Sequence, residues 1–180
     1  VCLKGYTDDK HVWEMIDMHG VRAVNSRAAG ECCTERGRLD TMLCIGGVRT
    51  PRRASSTAEV MCLNYPIIRK PNAMSAPRDL QVFHQPPAEI DCERYFYQEL
   101  IASDGATYKV YCIGEETFLV KELDVADEET LRRQAVPIPD HLVQAAREVG
   151  KLTGLEIYGV DFVGSLDEPF LIDVNSFPSF

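Results

Sequence analysis

The sequence predicts an α+β fold, and three stretches predict it. From Glu156 to Val163 and from Phe170 to Val174 run two β-rich segments, separated by the turn-like Gly164-Ser165-Leu166-Asp167-Glu168-Pro169. Thr107 to Gly114 and Thr117 to Lys121 form a second hairpin pattern through Gly114-Glu115-Glu116. Between the two hairpins, Leu142, Val143, Ala146, Val149 and Leu152 recur at helical spacing after Pro137-Ile138-Pro139-Asp140 and stop at Gly154. At 180 residues the chain can bury one substantial core or two small lobes around a cleft.

The remaining elements follow in order. Asp8-Asp9 can cap a short helix that carries Val12, Trp13 and Ile16 on one stripe and ends at Gly20. Val21 to Val24 reads as a brief strand. An amphipathic segment comes next, with Thr34 as a cap, Leu39, Met42 and Leu43 inward, and Gly46-Gly47 as its stop. Tyr65-Pro66-Ile67-Ile68-Arg69-Lys70-Pro71 is a short strand bracketed by prolines. Lys70 stands at its exit, where a long cation either reaches a phosphate or ends in solvent. Asn72 to Arg78 is a loop without glycine, and Leu80 to Phe83 is the hairpin partner of the lysine strand. Arg94 to Ile101 is a dense β run, followed by the turn Ala102-Ser103-Asp104-Gly105. In the hairpin after it, alternation puts Lys109 on the face of Tyr111 and Ile113, an odd place for a solvent-facing lysine. Asp124 to Arg133 is acidic and reads as a surface helix or loop.

The totals exclude several classes. Hydrophobic residues make up 45% and charged residues 26%, which is neither a disordered nor a fibrous composition. A net charge of −9 argues against a general nucleic-acid binder but leaves room for a local basic pocket that takes an anionic nucleotide. No run approaches the roughly 18 apolar residues of a membrane span, so a membrane is not an expected partner either. The seven cysteines cannot all pair within one chain, none forms a C-x-x-C pair, and vicinal Cys32-Cys33 is a poor zinc spacing. Buried or loop thiols in a reducing cytosol are therefore expected.

Chemistry concentrates in the terminal hairpin. Period-2 alternation puts Asp173 and Asn175 on one face, and a register that brings Asp161 opposite gathers three oxygen donors. Both aspartates lie in apolar runs, where an unpaired carboxylate is costly. Mg²⁺ takes oxygen donors from one or two carboxylates and fills its other positions with water and phosphates. The residues alone equally allow two aspartates that merely end or edge their strands.

Gly159-Val160-Asp161-Phe162 followed by Ile172-Asp173-Val174-Asn175-Ser176-Phe177-Pro178 resembles the C-terminal metal motif of the ATP-grasp superfamily. The likeness is to the glutamate ligases that modify ribosomal protein, with the inositol-polyphosphate kinases as more distant relatives. It extends over about Gly20 to Phe180, since Gly20-Val21-Arg22-Ala23-Val24-Asn25-Ser26 and Gly47-Val48-Arg49-Thr50-Pro51 resemble the entrance to an ATP-grasp core. The resemblance implies two α+β lobes enclosing a nucleotide cleft. Residues 1–50 are then the remnant of an otherwise missing N-terminal substrate domain, and 51–180 an ATP-grasp domain cut short at its C-terminus. It implies ATP as cosubstrate, with Mg²⁺ or Mn²⁺ on Asp161, Asp173 and Asn175. Lys70 and Lys109 meet the phosphates, and Lys109 is also the catalytic cation; Lys121 is a weaker candidate for the same pocket. Gln98, Glu99, Leu100 and Ile101 form the hinge that holds adenine and ribose. Many ATP-grasp enzymes have glycines in the phosphate loop, whereas here Ser75 and Arg78 stand in for bare backbone. The implied activity is Mg-ATP-dependent ligation of a carboxylate to an amine, on small molecules or peptides, through an acylphosphate. A kinase of an inositol-phosphate-like polyol and an inactive nucleotide-binding remnant stay open beside it.

Overall fold

Two antiparallel sheets, each with its own apolar core, organise the computed structural model, which describes residues 9–77, 79–103, 105–123 and 132–178. Helix α1 (Lys10–Met18) starts where the Asp9 carboxylate accepts the His11 N–H at 2.9 Å, and its apolar stripe buries Trp13 and Ile16. Val21 to Val24 forms no strand beyond a single bridge residue at Val24. The adjoining Asn25 side chain anchors the segment instead. It accepts from the N–H groups of Glu156 (2.7 Å) and Ile157 (2.9 Å) and donates to the carbonyls of Ile157 (2.7 Å) and Ser176.

Helix α2 (Arg27–Cys32) follows Ser26, whose hydroxyl accepts the Ala29 N–H at 3.2 Å. Six residues are too few to show a hydrophobic period, so no pattern announces it. Helix α3 (Arg36–Ile45) buries Leu39 and Leu43 as expected, but its cap position is Glu35 rather than Thr34. The Thr34 hydroxyl is spent on the Glu31 carbonyl at the end of α2, 2.9 Å away.

Strand β1 (Arg53–Ala54), helix α4 (Thr57–Met61) and strands β2 (Ile67–Pro71), β3 (Gln81–Phe83) and β4 (Tyr95–Glu99) make the smaller lobe, with sheet order β1-β4-β2-β3. β3 is the hairpin partner of β2, with Val82 opposite Ile68. Ala54, Val60, Leu63, Ile67 and Tyr97 close its core.

The larger lobe comprises strands β5 (Ala106–Ile113), β6 (Glu116–Leu123) and β7 (Arg132–Val136), helix α5 (Asp140–Thr153), and strands β8 (Ile157–Val163) and β9 (Phe170–Asn175). Its sheet runs β7-β6-β5-β8-β9. One face packs Val110, Tyr158, Val160 and Phe162 in a core shared with Leu142, Ala146 and Val149 of α5 and with Leu39 and Leu43 of α3. Each large apolar side chain so buried is worth roughly 1.5–3 kcal/mol, which decides which face of every strand looks away from the core. Ala29, Cys33 and Val48, from the stretch expected to be a domain remnant, belong to this same core. The acidic segment needs a correction at its end, because Arg132 and Arg133 open β7 rather than a helix or loop. Pairing with β6 makes that strand, which Arg-Arg-Gln-Ala-Val hardly advertises. Residues 124–131 lie outside the described residues. Among the described residues no helix is long and apolar enough to cross a membrane.

Candidate active site

The face of the larger sheet turned away from its core carries the candidate chemistry, and strand register places it. Asp161 lies opposite Asp173 on one side and opposite Lys109 on the other, and Gly159 lies opposite Asn175 and Tyr111. One row, Asp173–Asp161–Lys109, therefore crosses three adjacent strands, and Asn175 falls in the next row of the same face. Strands lie about 4.8 Å apart, close enough for such rows to interact. Beside the row β9 carries one extra residue, Ile172, because Asp161 pairs with Asp173 while Phe162 pairs with Leu171.

The Lys109 Nζ donates to Asp161 Oδ2 at 2.9 Å and lies 3.2 Å from Glu122 Oε2, while Glu122 Oε1 accepts from Arg133 Nε at 2.9 Å. Glu122 is a site residue that the sequence reading missed. A clue was present, since alternation from Val120 puts Glu122 on the Lys109 face. Burial pushes the Asp161 carboxyl above the usual carboxylate range; Lys109 opposes this, and Asp173 and Glu122 add repulsion. For Lys109, burial works against the charge but is outweighed by Asp161 and Glu122, so its ammonium is held above the ordinary lysine value.

Lys70 is not at a solvated strand end. It is only 7% exposed, and its Nζ donates to the Ile172 carbonyl at 3.0 Å, one residue from Asp173. Burial lowers its pKa; Asp173 and Asp161 oppose that shift and Arg36 adds to it. Arg36, also unforeseen, bonds the Pro71 carbonyl at 3.2 Å and comes within 3.6 Å of Asp173 Oδ1. Its Nε is buried with no hydrogen-bond partner among the described residues. Among the described residues there is no cluster of three or more His, Cys, Asp or Glu side chains arranged for a metal. Two facing carboxylates plus a carboxamide are nevertheless a hard-donor set that suits Mg²⁺ when phosphates and water complete the shell. A cation there would also relieve the crowding of charge at Asp161.

The expected hinge is split. Gln98 is buried and lines a cavity of about 20 Å³ together with Arg36, Asp40, Phe96 and Asp173. The Glu99 carboxylate is engaged by the Asn64 N–H (2.8 Å) and side-chain amide (2.9 Å), and the Leu100 N–H by the Pro66 carbonyl (3.0 Å). β4 ends at Glu99, so Leu100 and Ile101 lie past the strand expected to contain them. In the glycine-free loop, the N–H groups of Asn72, Met74 and Ala76 are given to the carbonyls of Arg94, Thr34 and Ala73. Ser75 is exposed, and Arg78 lies outside the described residues. Lys121 is on the opposite face from Lys109, with its Nζ 5.6 Å from the Tyr108 ring centroid.

No protein-family model and no curated protein matches the sequence. Solved structures do. The D-alanine–D-alanine ligase of Bacillus anthracis superposes with a TM-score of 0.75 at 13% identity, covering 95% of this chain and 66% of that one. The ATP-grasp ligase PsnB, complexed with a minimal precursor, Mg and ADP, gives 0.72 at 22% identity over 91% of this chain and 56% of its own. The chain has the ATP-grasp fold. A RimK domain ATP-grasp protein from Sphaerobacter thermophilus agrees, with a TM-score of 0.68 at 17% identity over 94% of this chain and 69% of that one. This chain thus spans somewhat less than two thirds of the first two structures. The two ATP-grasp lobes meet where Lys70 and Arg36 approach β9, so the candidate site lies at their junction.

Proposed function

We propose that this ATP-grasp chain provides the nucleotide and metal site of an Mg-ATP-dependent carboxylate–amine ligase working through an acylphosphate. One row of side chains carries the reading: Asp173, Asp161 and Lys109 in register on three neighbouring strands, with Asn175 and Lys70 beside them. Residues 51–180 would then be the nucleotide-binding domain, with 1–50 leading into it from a substrate domain.

In this reading Asp161, Asp173 and Asn175 hold Mg²⁺, or Mn²⁺ in its place, and the bound ion supplies neutralisation of charge on the β- and γ-phosphates. Lys70 and Lys109 add fixed positive charge where the transferred phosphoryl group passes. Gln98, Glu99, Leu100 and Ile101 face adenine and ribose. A substrate carboxylate oxygen bonds to the γ-phosphorus as its bond to the β-bridging oxygen breaks, and ADP leaves. An amine nitrogen then bonds to the acyl carbon, phosphate departs with the electron pair of the C–O bond, and the nitrogen loses a proton. No enzyme nucleophile takes part. Cys33, a thiol that feels the charge of Asp173, is buried and pushed up to about 12, chiefly by that burial. The likeness to PsnB, seen with a precursor, Mg and ADP, supports a peptide or small-molecule carboxylate and amine as substrates. The unpaired Cys32, Cys33, Cys44, Cys62, Cys92 and Cys112 support a reducing cytosol as the working compartment.

ADP release assayed across carboxylate–amine pairs tests the reaction, and Asp173→Asn tests the site. That variant should keep its far-UV circular dichroism and lose Mg²⁺-dependent nucleotide binding and turnover, by about 10²-fold or more. Unchanged turnover would remove the metal assignment. A phosphorylated alcohol as product would make the protein a kinase, and Mg²⁺-dependent ATP binding without ADP from any acceptor would make it a binding remnant.

A further inference from the structure

The Lys109 ammonium is divided between two carboxylates. It takes Asp161 Oδ2 at 2.9 Å and Glu122 Oε2 at 3.2 Å. Asp161 is also the carboxylate that a divalent cation between β8 and β9 must use, so cation and ammonium compete for one group. Glu122 does not belong to the Asp173–Asp161–Lys109 row. Its ladder partners are Thr107 and Arg133, which puts it one step along the sheet, and it reaches Lys109 on the diagonal. Its other oxygen is fixed by Arg133 Nε at 2.9 Å, so Glu122 is itself anchored on the side away from the row. A buried, anchored carboxylate that shares the ammonium without sharing the cation seat has a definite use.

We propose that Glu122 is a positioning residue that keeps the Lys109 ammonium beside the phosphates when a divalent cation takes over Asp161. The proposal rests on the metal reading given above. Without Glu122, displacing Lys109 from Asp161 would leave a half-buried ammonium without a carboxylate partner, and that loss would weaken cation binding. With Glu122 present, Lys109 exchanges a shared partner for an undivided one, and a charge-assisted hydrogen bond is kept throughout. Arg133 makes the exchange directional, because it holds Glu122 in place while the ammonium moves.

The test is a double-mutant cycle on the full chain, read by isothermal titration with a non-hydrolysable ATP analogue in Mg²⁺ and again in EDTA. The ratio of the two affinities isolates the part that depends on the cation. Glu122→Gln should lower that ratio by roughly tenfold, and Lys109→Met, which removes the competitor, should raise it while turnover is lost. In the Lys109→Met background, adding Glu122→Gln should change nothing further. Glu122→Asp, which keeps the charge, should retain part of the wild-type ratio and serves if the glutamine variant fails to fold. A wild-type ratio in both Glu122 variants overturns the proposal. So does an equal loss with and without Lys109, which would make Glu122 a mere contributor to the local field. A wild-type protein with no Mg²⁺ enhancement removes the metal reading itself, and this inference with it.

Discussion

Asn25 ties together the two ends of the strand pair that carries the aspartates. Its carboxamide is used as acceptor by two N–H groups at the start of β8 and as donor to two carbonyls, one of them Ser176 next to Asn175. Asn25→Asp keeps the acceptor and turns a carboxylate towards two carbonyl oxygens. It should cost about 2–3 kcal/mol in urea unfolding with the m-value unchanged, whereas a loss below about 0.5 kcal/mol would show the network to be slack. Nothing local marks Asn25, because its partners lie 131 to 151 residues further on. Asp161 and Asp173 were legible for the opposite reason. Each stands next to a core-facing valine of its own strand, Val160 and Val174, whereas the extra residue Ile172 that brings the two into register has no signal in the sequence. For Lys70 the strand alone left solvent and phosphate both open, because it looks finished at Pro71; its partner, the Ile172 carbonyl, comes from the other lobe.

Among the elements, α5 and the two hairpins were readable since each is long enough to show its period. α2, α4 and β1, at six, five and two residues, are not. Helix α5 also carries a test of packing over propensity. Alanine at a helix-interior glycine ordinarily gains about 1 kcal/mol. At Gly150, however, a Cβ would run into the Tyr158 hydroxyl, which donates to the Ala146 carbonyl at 2.8 Å. Gly150→Ala should therefore destabilise by about 1–3 kcal/mol in thermal or urea unfolding, and a stabilised variant would contradict this packing. On β6, burial pushes Glu122 up, but hydrogen bonds from Arg133 and Lys109 outweigh it and hold the carboxyl below its ordinary value of 4.5. The unfolded chain then binds the proton more readily. The stability that Glu122 contributes is complete above that ordinary value and is lost as pH falls through the lower, folded one. Glu122→Gln should flatten the acid limb of the stability curve, measured as urea midpoints at successive pH values. An acid limb of unchanged slope would mean that other carboxylates govern it.

For the molecule as a whole, the two lobes are joined by ion pairs and hydrogen bonds as well as by chain. Arg53 Nε lies 2.5 Å from Asp40 Oδ2, Arg36 bonds Pro71, and Lys70 bonds Ile172. A nucleotide seated at this junction with Mg²⁺ would add contacts to both lobes. At a concentration 100 times its dissociation constant it should stabilise the fold by about 2.7 kcal/mol, raising Tm by about 5–10 °C in a single calorimetric transition. In Asp173→Asn the Mg²⁺-dependent part of that rise should vanish; its persistence would move the metal elsewhere. Composition left one core or two lobes equally open, and only the terminal motif's likeness to ATP-grasp pointed to the second.

Adjacent residues of β9 serve different halves of the protein. Ile172 presents a main-chain oxygen that the smaller sheet grips through Lys70, and Asp173 presents a carboxylate to its strand neighbour in the larger one. Whatever pulls on that carboxylate displaces the same short length of backbone, and the grip on its neighbour feels the tug without any loop or hinge to relay it. An ion seated on that carboxylate would in that way be mechanically geared to the angle between the halves.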